Sequence, residues 1–126
     1  MSLLKDSILG TDDRVLKSVE VPEWKSTVYI SEMSGIERDE YDELIANRIQ
    51  NGKLNFVHLK AEVLIRFAIS DENRKRVFTL VDLDALESKN AEVLDRLFNE
   101  WRAINHLIAG PAAKNSEGPS AEPGSV

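Results

Sequence analysis

The residues able to do chemistry are few and scattered. His58 and His106 are the only histidines, and there is no cysteine. Zinc sites draw on Cys and His at short, regular spacing, and neither histidine belongs to an HExxH or His-x-x-x-His pair. Each is expected to be a boundary residue with a local hydrogen bond, His58 within an apolar helix and His106 beside the apolar stripe of the last one. Asp82-Leu83-Asp84 opens like a calcium loop. Such a loop needs Gly at its sixth position and a bidentate Glu at its twelfth, and here those positions hold Glu87 and Val93. The acids read instead as charges at a helix start. There is no Gly-rich phosphate loop, no GxSxG elbow and no dinucleotide fingerprint. The chain is therefore expected not to be an enzyme and to take no cofactor or metal. A small hydrolase or transferase would need polar groups converging in a pocket.

With catalysis set aside, the charge balance suits a soluble protein, or one whose partner is basic. In 126 residues, acids outnumber bases 22 to 16, for a net charge of −6. Nucleic-acid binding requires an excess of Lys and Arg to meet phosphates, and an anionic membrane surface repels this balance. The absence of cysteine suits a reducing compartment. The first residues place charges inside any would-be signal segment, and no apolar run reaches the ~20 residues of a membrane span. A cytosolic protein is expected. Glu37 to Glu43 holds five acids and one base. It reads as a solvent face, and Glu37, Glu40 and Glu43 are the candidates for meeting a basic partner. Arg74-Lys75-Arg76 reads as a solvated turn tip.

The elements that would position these residues follow from hydrophobic periodicity. Leu3, Leu4, Ile8 and Leu9 predict a short amphipathic helix, broken at Gly10. Val19 and Val21, then Val28 and Ile30, alternate with polar residues around a loop containing Pro22 and Trp24, with Tyr29 on the opposite face. That pattern predicts a β-hairpin with Pro22 at a strand end or edge. Ser34 and Glu37 form a capping-box pattern before a helix that Gly52 is expected to stop. The run Leu54 to Ile69 is apolar on most sides and predicts a second, central helix. Thr79 is placed to cap a short helix over Leu80 to Glu87. From Ser88 or Asn90, the stripe Ala91, Leu94, Leu97, Phe98, Trp101, Ile104, Leu107 and Ile108 predicts the last helix, ended by Gly110-Pro111. The fold class is thus α+β and predominantly α-helical: an N-terminal β-hairpin followed by three to four packed helices. Residues 1–110 form the folded domain. Residues 111–126, rich in Gly, Pro, Ser and Ala, are too poor in large apolar side chains to offset their ordering entropy and form a disordered tail.

These elements occur in a familiar order. Met1 to Leu9, then Val19-Glu20-Val21-Pro22-Glu23-Trp24-Lys25-Ser26-Thr27-Val28-Tyr29-Ile30, then Met33-Ser34-Gly35-Ile36-Glu37-Arg38-Asp39, resemble the tail assembly chaperones of lambda-like siphoviruses. So do Arg76-Val77-Phe78-Thr79, Asp82 to Leu86 and Asn90 to Leu97. The resemblance runs from residue 1 to about 108 and implies a chaperone that binds the aggregation-prone tape measure protein. It would hold that protein soluble in the host cytoplasm until major tail protein polymerises around it, and would be absent from the finished virion. The family commonly makes a longer form by ribosomal frameshifting, whose extension recruits major tail protein; this chain would be the short form. A slippery heptamer can be encoded at Ala113-Lys114-Asn115, where a codon ending in A would precede AAA and AAC. The resemblance carries no catalytic positions. Candidate partner contacts are Pro22, Trp24 and Tyr29 of the hairpin and Glu37, Glu40 and Glu43 of the acidic helix. The hairpin's edge strand offers pairing between copies, and so a homo-oligomer. The competing reading is a head-tail or tail connector or adaptor protein, also a binding module.

Overall fold

The computed structural model describes residues 2–107. The domain boundary placed at 110, the tail 111–126, Ile108 and the frameshift position Ala113-Lys114-Asn115 lie outside the described residues. Within them, the α+β class holds: five α-helices and a small antiparallel sheet close to the N-terminus.

Helix α1 (Leu3–Gly10) starts at Ser2, whose side chain accepts the Lys5 backbone N–H, the usual way an N-cap satisfies an orphan donor. Strands β1 (Leu16–Val21) and β2 (Ser26–Ser31) form the expected hairpin, with Val19 opposite Val28. Their connection is a 3₁₀ turn at Pro22–Trp24, which starts on Pro22 and closes with Lys25 in the left-handed region at φ 52°. Pro22 therefore sits where its missing N–H costs nothing. Alternation carries through in β1, where Val19 and Val21 are buried, whereas in β2 Val28 and Tyr29 are both half-buried and Ile30 and Ser31 both buried. A third strand, β5 (Ile69–Ser70), pairs with β2 on the other side, giving the order β1-β2-β5.

Helix α2 (Gly35–Asn47) has the predicted capping box. Glu37 N–H donates to Ser34 Oγ and Ser34 N–H donates to Glu37 Oε1. Its end differs from expectation. The helix stops at Asn47, and Gly52 belongs to a second hairpin, β3 (Ile49–Gln50) with β4 (Lys53–Leu54). Asn51 and Gly52 both have positive φ, 53° and 78°, as a two-residue primed turn requires.

The central helix is also shorter than its apolar run. Leu54 lies in β4, Phe56 and Val57 are exposed, and α3 spans only Leu59–Val63 before continuing as a π-helical turn, Leu64–Ala68. The prediction of maximal burial stands from Leu59 onward, where Leu59, Ala61, Val63, Leu64, Ile65, Phe67, Ala68 and Ile69 are all buried. Periodicity cannot separate strand, loop and helix within one continuous apolar run. A 3₁₀ turn at Leu80–Asp82 leads into α4 (Leu83–Glu87), and the Thr79 N–H donates to Asp82 Oδ2 at 2.9 Å. Helix α5 (Ala91–Ile104) is capped by Asn90, whose side chain accepts the Glu92 N–H. It buries Val93, Leu94, Leu97 and Trp101, with Phe98 and Ile104 half-buried beside them.

Trp101 is fully buried, and its indole N–H donates to the Phe67 carbonyl at 3.1 Å. Tyr41 of α2 meets it edge-on at 5.3 Å between centroids and Phe98 stacks at 5.8 Å. Truncating such a side chain removes both contact area and the carbonyl's partner. Trp101→Ala is expected to cost about 3–5 kcal/mol, enough to unfold much of the population of a domain this small. Trp101→Phe should cost about 1–3 kcal/mol. Urea unfolding followed by far-UV circular dichroism measures both. Equal stability of Trp101→Phe and the native chain would contradict the role given to the indole hydrogen bond.

Candidate functional site

The candidate residues divide into two places set apart by the length of β1. At the loop end, Pro22 is exposed and Trp24 is half-buried against the core. Glu23 between them accepts both terminal nitrogens of Arg96 from α5, at 3.1 and 2.8 Å. The paired guanidinium and a backbone hydrogen bond hold the Glu23 carboxyl at about 2, well below the usual carboxylate range. The loop is thus clamped to α5. Tyr29 lies on β2, half-buried, with its backbone opposite Ser18 on one side and Ser70 on the other.

At the other end of β1, six residues or roughly 20 Å away, Glu37 is not a free acid. Its Oε2 accepts Arg76 Nη2 at 2.8 Å, and Arg14 Nη1 lies 3.9 Å from Oε1, which also accepts the Ser34 N–H. Partial burial pushes the Glu37 carboxyl up, but the Ser34 amide, Arg76 and Arg14 outweigh it and hold it below its ordinary value. Glu40 and Glu43 are exposed on α2, and neither makes an ion pair among the described residues. They lie three apart on one face, with exposed Ile36 a turn before and Asn47 a turn after. The structure therefore keeps Glu40 and Glu43 together as an acidic stripe, draws Glu37 into half-buried pairs with Arg76 and Arg14, and leaves the hairpin loop elsewhere.

The Arg74-Lys75-Arg76 triplet is not a solvated tip. Lys75 is exposed, but Arg74 and Arg76 fold inward. Arg76 also reaches the buried Ser31 hydroxyl and the Ile69 carbonyl, both at 3.4 Å. Arg74 has φ +67°, donates to the Arg14 carbonyl at 2.8 Å and pairs with Asp12 at 2.9 Å. Its Nη1 is buried without a partner among the described residues.

His58 also departs from expectation. It precedes α3 rather than lying inside a helix, sits at φ +63°, and its Nδ1 meets the Glu87 carboxylate at 2.7 and 2.9 Å across 29 residues. His106 is exposed, with φ +58° just past α5. Among the described residues no group of three or more His, Cys, Asp or Glu is placed to hold a metal ion.

A feature that motif reasoning missed is the loop joining β4 to α3. Phe56 and Val57 are 63% and 61% exposed. Yet the loop is well tied: Arg48 donates to the Asn55 and Val57 carbonyls, Asn55 Oδ1 accepts the Val57 N–H at 3.0 Å, and Arg48 pairs with Glu62 at 2.7 Å. Helix α1 is more open still. None of its residues is buried, and Leu3, Leu4, Ile8 and Leu9 are all exposed.

Polar side chains in this arrangement tie one element to another, while apolar and acidic side chains are left facing outward. The sequence model of the phage tail assembly chaperone family matches residues 13–116, and the chain belongs to that family. Its fold is similar to that of the bacteriophage HK97 tail assembly chaperone, at a TM-score of 0.51 and 20% identity over 87% of this chain and 98% of that one. No curated protein sequence matches the chain. Helix α1 lies outside the matched residues, and no helix among the described residues is long and apolar enough to cross a membrane.

Two titrations check the electrostatic assignments. Arg96→Ala should return the Glu23 carboxyl from about 2 toward its ordinary 4.5, read by carboxyl carbon NMR; an unmoved value would contradict the clamp. For Glu37, the folded-state value is depressed, so its stabilisation is present above the unfolded-state value. It is lost as pH falls through the folded one. Glu37→Gln should cost about 1–2 kcal/mol at pH 7, and the gap to the native chain should close below pH about 4. A gap independent of pH would remove the ionised carboxylate from the account.

Proposed function

We propose that this chain is a holding chaperone for the tape measure protein during phage tail assembly. It binds that long protein in the host cytoplasm, keeps it soluble and promotes polymerisation of the tail tube around it, and it does not remain in the mature virion. The observation that carries this reading is membership of the tail assembly chaperone family across residues 13–116. A longer, frameshifted product departing at Ala113-Lys114-Asn115 would bring in major tail protein.

The surface is consistent with such a role. A chaperone for an aggregation-prone client needs apolar groups presented to solvent rather than spent in its core. Leu3, Leu4, Ile8 and Leu9 of α1, together with Phe56 and Val57, meet that need. The acidic stripe of Glu40 and Glu43 would keep the loaded complex soluble and favour basic stretches of client. Trp24 and Tyr29, half-buried in the hairpin, would contribute their exposed edges, with Pro22 exposed at the loop. Pairing through β1, the edge strand, is the route by which copies would assemble along a long client.

Co-expression with the tape measure protein tests this directly. The expected outcome is a severalfold rise in soluble tape measure protein, which co-purifies with the chain, and no detectable chain in purified virions. Charge reversal of Glu40 and Glu43 to Lys should weaken capture while leaving the urea midpoint close to native, since both side chains are exposed. Unchanged tape measure solubility on co-expression, or the chain's presence in mature particles, would sink the proposal; the latter would favour a connector.

A further inference from the structure

We draw no further inference here: the strongest candidate, the unpartnered apolar surface of the N-terminal helix α1 beyond its Asp12–Arg74 tether, carries nothing because nothing in the structure shows what covers it.

Discussion

The fold depends on how one buried indole is satisfied. Trp101 has no exposure, so its N–H must find an acceptor inside the protein or cost the domain an unpaired donor. The acceptor is the carbonyl of Phe67, near the end of the π-helical turn Leu64–Ala68. Carbonyls at a helix C-terminus lack intrahelical partners, so the single bond at 3.1 Å answers two needs at once. It also fixes the depth of α5 against α3. Tyr41, meeting both Phe67 and Trp101 edge-on, then sets where α2 lies. Strand β2 follows, because α5 packs along it and β5 emerges directly from the π-turn.

Around that core, ionic ties work at the periphery and draw separate elements together. Lys17 to Glu100 and Glu23 to Arg96 fasten the hairpin to α5. Lys60 to Asp95 joins α3 to α5, and Arg48 to Glu62 joins the end of α2 to α3. The three pairs made to α5 are the more exposed and contribute about 0–1 kcal/mol each, so they orient more than they stabilise. The pairs at Glu37 differ in their company: Glu37 and Arg76 are half-buried, as Arg48 and Glu62 are, and share their hydrogen bonds with Ser34, Ser31 and the Ile69 carbonyl. There a helix cap and a strand end are held by one carboxylate.

Local chemistry made some elements legible in the sequence. Ser34 with Glu37, Asn90 before Ala91, and the alternation of Val19, Val21, Val28 and Ile30 all act within a few residues, and each forms as read. The errors arose where the deciding interaction lay far along the chain. The apolar run from Leu54 to Ile69 looks continuous, but Arg48, itself paired with Glu62, donates to the Asn55 and Val57 carbonyls outside any helix, and His58, at φ +63°, meets Glu87 from α4. Asn51-Gly52 was the exception: that dipeptide is a strong hairpin signal in its own right. Gly52 accordingly serves that turn and not the end of α2. The inward turn of Arg74 and Arg76 required Asp12, Arg14 and Glu37, residues no local window includes.

The candidate surface was less legible than the fold, for a physical reason. Core positions announce themselves by period, because burial must recur each turn or every second residue. A surface that grips a long, varied client has no such obligation. Acids at Glu37, Glu40 and Glu43 look equivalent in the sequence, and only the approach of Arg76 and Arg14 separates the first from the other two. Phe56 and Val57 look like core until Arg48 holds their loop outward. In both cases a half-buried arginine holds the neighbouring segment in place. Changing what this protein presents to a partner therefore need not touch the presented residues at all: loss of Arg48 would release Phe56 and Val57 from their fixed position while leaving their chemistry intact.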